Sequence, residues 1–113
     1  MLAALERNPV CVEKSAERCP DEGSLVQHVS TMSGDSIYEG ESRLAQPDEV
    51  WNFGTGDGLE RAILLGVILH ARDHRSYTLA TAPGAVSLNR ADGTEVTRFA
   101  SAKVIRDKII RIG

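Results

Sequence analysis

Apolar positions change their period partway along the chain. Between residues 58 and 72, Leu59, Ala62, Ile63, Gly66, Val67 and His70 recur at helical spacing, while Leu64, Leu65, Ile68 and Leu69 fill most of the remaining circumference. A helix apolar nearly all round is a buried helix. Asp57 is a favourable N-cap, and Glu60 stands three residues later, where its carboxylate can reach back to the cap's N–H; the spacing therefore predicts a helix opening at Gly58. The segment is too short to cross a bilayer, which needs about 20 apolar residues, and Asp57, Glu60, Arg61, Arg72 and Asp73 flank it closely. Gly66, in mid-helix, costs about 1 kcal/mol relative to alanine and points to a second backbone passing close by. After a charged turn at residues 72–75 the pattern alternates. Strands are expected over residues 76–81, 85–88, 94–99 and 108–112, with Pro83-Gly84 and Asp92-Gly93 as turns and residues 101–107 ambiguous.

Upstream of residue 57 the signals are helical and short. Residues 2–7 suit one or two turns stopped by Pro9, and residues 13–19 suit a second helix stopped by Pro20. Asp21 to Ser24 offer cap chemistry for a helix over residues 25–32, with Gly34 as its terminator and His28 on its surface. Residues 36–45 read as an extended connection. Pro47 suits the first position of a short helix over residues 47–51, whose acidic start complements the helix dipole. Trp51 and Phe53 lead into the glycines, either as core anchors or, for Trp51, as the wall of a groove. Helices first and an antiparallel sheet of about three to four strands afterwards make a single α+β domain over residues 1–113.

Composition narrows the partners. With 113 residues, 42% hydrophobic and 26% charged, the chain reads as globular and soluble. A formal net charge of −3 carries no basic surplus, so no nucleic-acid partner is expected. Arg98, Lys103, Arg106, Lys108 and Arg111 form a late basic bias that reads as a solvated face. Cys11 and Cys19 suit neither a redox Cys-x-x-Cys nor a zinc pair, and no metal or cofactor is expected. Without a secretory h-region behind a basic start, they read as free thiols in a cytoplasmic protein, with a disulfide between them as the alternative.

Candidate chemistry gathers at Trp51-Asn52-Phe53-Gly54-Thr55-Gly56-Asp57-Gly58. Followed by Leu59-Glu60-Arg61-Ala62 and the apolar helix, with the prolyl approach Gln46-Pro47-Asp48-Glu49-Val50 before it, this run resembles the core of the transglutaminase-like, papain-like cysteine hydrolase superfamily. In that superfamily a Gly-Asp-Cys or Gly-Ser-Cys turn opens a buried helix, and a sheet carrying the catalytic His and Asp follows. The likeness covers roughly the second half of the chain. It implies an α+β scaffold, but the cysteine position falls on Gly58 and no histidine follows His74. Acyl transfer through an activated thiolate is then unavailable, and the resemblance implies a non-catalytic scaffold.

A second reading takes Gly54 to Gly58 as an anion-binding turn, whose free N–H groups at a helix start would hold a phosphate or sugar phosphate. An acid and base drawn from Asp57 or Glu60 with His70 or His74 fail on distance, since Glu60 and His74 stand about 20 Å apart along the helix. The expected function is a binding or assembly module with a concave ligand surface at Trp51, Asn52, Gly54, Thr55, Gly56, Asp57 and Gly58. Its expected partner is a small anion or a protein. The terminal strand 108–112 could pair with a second copy, although its lysine and arginine protect that edge.

Overall fold

The structure is a computed structural model that describes residues 9–38, 44–101 and 109–112. Among the described residues four helices precede four strands: α1 Pro9–Arg18, α2 Glu22–Ser30, α3 Pro47–Phe53, α4 Gly58–Asp73, then β1 Tyr77–Ala82, β2 Ala85–Arg90, β3 Glu95–Ala100 and β4 Ile109–Ile112. The strands form one antiparallel sheet in the order β3-β2-β1-β4. This is the α+β architecture expected from the change of period.

The capped apolar run becomes the hub. Every residue of α4 from Gly58 to Leu69 is buried, and α4 touches each of the other seven elements, with the sheet on one side and α1 to α3 on the other. Register places Leu79 beside Leu88 and Ile110, Val86 beside Phe99, and Tyr77 beside Ile112, so the inner face of the sheet meets α4. Each fully buried Leu, Ile or Val contributes about 1.5–3 kcal/mol relative to exposure, so burying α4 between the sheet and the other helices contributes strongly to stability.

Glycines set how closely the layers meet. A Cβ on Gly66 would lie 2.3 Å from Ile112 Cδ1, so its close neighbour is a side chain of β4 and not the backbone expected from sequence. The backbone approach is at Gly58, where a Cβ would stand 2.0 Å from the Ala100 carbonyl oxygen.

The first helices also depart from expectation. α1 opens at Pro9, earlier than the helix expected over residues 13–19, because a first-turn residue needs no N–H of its own. The next two donors are satisfied across the fold: Val10 N–H and Cys11 N–H bond to the Asp48 carboxylate of α3 at 3.2 and 2.7 Å. At the other end Arg72 of α4 donates to the Ser15 and Cys19 carbonyls at 3.0 and 2.6 Å. α1 is thus tied at both ends to side chains distant in sequence. α2 starts earlier than expected, with Asp21 as N-cap accepting from Ser24 N–H at 2.7 Å, and ends at Ser30 without using Gly34. The expected helix over residues 2–7, part of the connection 36–45, most of residues 101–107 and the start of the last strand at Lys108 lie outside the described residues.

Candidate functional site

The run from Trp51 to Gly58 splits into an exposed half and a sealed half. α3 buries Pro47 and Val50, with half-buried Trp51 on the same stripe. The Trp51 ring meets the His28 ring of α2 with centroids 5.0 Å apart. Asn52 is exposed, and Phe53 is 66% exposed. Phe53 is therefore no core anchor: it lies one helical turn after Glu49, off the buried stripe. Gly54 closes α3 in the left-handed region at φ 68°, donating its N–H to the Val50 carbonyl.

From Thr55 onward the polar groups turn inward. Thr55 pairs with Ser33 in a parallel bridge, and its hydroxyl donates to the Asp35 carbonyl at 2.5 Å. Gly56 N–H donates to the Ser33 carbonyl at 3.0 Å. Asp57, buried, accepts from Leu59 N–H at 3.0 Å and from the Ser101 hydroxyl at 2.5 Å, and it also receives the Glu60 N–H in a reciprocal capping box. Glu60 is 1% exposed and accepts three donors: Asp57 N–H at 2.8 Å, Ala45 N–H at 2.5 Å and the Ser36 hydroxyl at 2.9 Å. One carboxylate therefore holds the cap and both ends of the connecting segment against the head of α4.

Arg61, 9% exposed, completes the cluster. Its Nε donates to the Gly56 carbonyl at 2.8 Å, and its guanidinium lies over the Phe99 ring at 4.6 Å. Burial lowers its pKa from the ordinary value, and the charge of Asp57 opposes that shift. Among the described residues no buried side-chain polar atom lacks a hydrogen-bond partner. The three charges at the head of α4 are thus held by backbone groups, by the Ser36 and Ser101 hydroxyls and by the Phe99 ring.

This geometry decides what each predicted residue can do. Trp51, Asn52, Gly54 and Thr55 line a surface with Phe53. Gly56, Asp57 and Gly58 lie behind it, buried, and the N–H groups of Gly56, Asp57, Leu59 and Glu60 already have acceptors inside the chain. Gly58 faces Phe99 and the Ala100 carbonyl, not a cleft.

The thiols and imidazoles stand elsewhere. Cys11 and Cys19 are buried as thiols, and burial together with the neighbouring Asp48 pushes the Cys11 thiol well above its usual pKa, away from the nucleophilic thiolate. His28 sits against Trp51, and His70 Nδ1 contacts the Arg75 carbonyl at 2.7 Å at the far end of α4. Among the described residues no group of three or more His, Cys, Asp or Glu side chains could hold a metal ion, and no helix is long and apolar enough to cross a membrane. Sequence reasoning missed the exposure of Phe53 and the burial of Arg61. The i, i+4 relation of Phe53 to Glu49 carried the first, and nothing local carried the second. Comparison with known protein families, curated proteins and solved structures finds no match to this chain.

Proposed function

We propose that this domain is a non-catalytic binding or assembly module that docks a protein partner through the aromatic end of α3. The observation that carries this reading is Phe53, two-thirds exposed at the end of a helix whose neighbouring Trp51 is fixed against His28. Aromatic side chains on a rigid frame supply contact area at small entropic cost, and exposed ones concentrate at interfaces. The same reading takes the chain as a transglutaminase-like scaffold without its chemistry. Gly58 leaves no room for the side chain of a nucleophile, which supports a scaffold role. The reading places the protein in the cytoplasm, where Cys11 and Cys19 stay reduced. The edge of β4, with Ile109 68% exposed, offers a route to pairing with a second copy. An anion or sugar phosphate on the Gly54 to Gly58 turn has less support, because the donors it would need are engaged internally.

The test compares the wild-type chain with Phe53→Ser as affinity baits, after denaturant melts establish that their stabilities agree within about 0.5 kcal/mol, as for an ordinary surface change. A partner retained by the wild type and lost by the variant supports the reading. Identical retention by both baits overturns it.

A further inference from the structure

The C-terminal end of α4 opens onto a cavity of about 290 Å³, lined by Arg75, Ser76 and Tyr77 where β1 begins and by Arg90, Ala91 and Asp92 where β2 ends. From the side chains gathered there we infer that it is a binding site for a small oxyanion, a carboxylate or phosphate group, distinct from the proposed surface at α3.

Two arginines, Arg75 and Arg90, line this cavity, and another, Arg111, contacts the lining residue Ser76. Arg90 is fixed by Glu22 of α2, with Nη2 to Oε2 at 2.6 Å, which leaves part of its planar fork uncommitted. Arg111 of β4 reaches the Ser76 hydroxyl at 3.5 Å, which brings a second positive charge to the rim. Arg75 is the third, and its backbone is clamped on both sides. Its N–H donates to the Asp73 carboxylate at 2.9 Å, and its carbonyl meets His70 Nδ1 at 2.7 Å. The Arg75 guanidinium itself has no hydrogen-bond or ion-pair partner among the described residues.

Each nearby carboxylate is hydrogen-bonded within the chain, and none of them pairs with the Arg75 guanidinium. Glu22 holds Arg90, Asp73 accepts from Tyr77 O–H and Arg75 N–H, and Asp92 accepts from Thr94 N–H at 2.9 Å. A pinned turn therefore presents a guanidinium without a carboxylate of its own, beside a second that is already oriented. Guanidinium forks match planar carboxylate and phosphate oxygens with paired N–H donors. The volume lies at the lower limit of small-molecule sites, so the ligand is a small anion.

The experiment titrates the full chain with sodium phosphate and, separately, with sodium benzoate at constant ionic strength, following backbone amide resonances. Saturable shifts centred on residues 75–77 and 90–92 with either probe support the site, and the probe that saturates at lower concentration distinguishes a phosphate source from a carboxylate source. Arg75→Ala should weaken binding at least about tenfold through loss of a charge-assisted pair, whereas Arg98→Ala, on β3 and paired with Glu95, should leave it unchanged. Absence of saturation up to about 50 mM, where even millimolar affinity would register, overturns the inference. Equal binding by Arg75→Ala and the wild type also overturns it.

Discussion

The two ends of α4 meet the rest of the chain in opposite ways. At the N-terminal end, Asp57 and Glu60 fill the anion-attracting pole of the helix with the protein's own carboxylates, and Gly58 lets β3 close over it. At the C-terminal end the helix stops on His74, a non-glycine residue at φ 59°, and the exposed turn that follows lines an open cavity. A glycine-rich turn at a helix start is an anion site only if its donors are free. Here the sequence supplies both the donors and the acceptors that consume them.

Adding one methyl at the sealed end should have the largest effect. Gly58→Ala drives a Cβ into the Ala100 carbonyl and the Phe99 Cβ, neither of which is a flexible chain end, and should cost about 3 kcal/mol or prevent folding. Urea denaturation measures it, and a loss below about 1 kcal/mol would mean that the junction is looser than described. Glu60→Ala comes next. It removes the acceptor of Asp57 N–H, Ala45 N–H and the Ser36 hydroxyl together, with an expected loss of about 2 kcal/mol in the same assay.

The open end answers to pH. Burial, and then the hydrogen bond to Asp73, raise the Tyr77 pKa from 10.0 to about 12. The folded state therefore keeps a proton that the unfolded state releases between those values. Tyr77 contributes stability that is fully present below pH 10 and lost as pH climbs through 12. Denaturation midpoints should fall across that window in the wild type and fall less in Tyr77→Phe. The smallest expected effect is a gain: His74→Gly relieves the left-handed cap and should stabilise the fold by about 0.5–1 kcal/mol, read as a rise in melting temperature.

Much of the fold was legible because its signals are local. The Asp57–Glu60 spacing located the start of α4, and Pro83-Gly84 and Asp92-Gly93 located the two hairpin turns, where Gly84 and Gly93 take φ of 77° and 90°. Signals that depend on distant partners were not legible. α1 begins at Pro9 because Asp48 caps it from another helix, and no window around Pro9 contains that carboxylate. Arg61 read as a flanking charge, yet the Gly56 carbonyl and the Phe99 ring hold it inside. The candidate site divided for the same reason. Local signals name Trp51, Asn52, Gly54 and Thr55 as a ligand surface, but they read Phe53 as a core anchor and it is exposed, and the burial of Gly56 to Gly58 depends on Ser33, Ser101 and Ala100, which come together only in the folded chain.

Native-state hydrogen exchange at the amides of Gly56, Asp57, Leu59 and Glu60 tests most directly whether the head of α4 is a closed junction. All four should exchange only through global unfolding, with the same opening free energy as the Leu64 and Leu65 amides in the middle of the helix and no response to added phosphate. Rapid exchange at these four sites while Leu64 and Leu65 stay protected, or protection that rises with phosphate, would contradict a sealed end and return the glycine turn to the role of a ligand site.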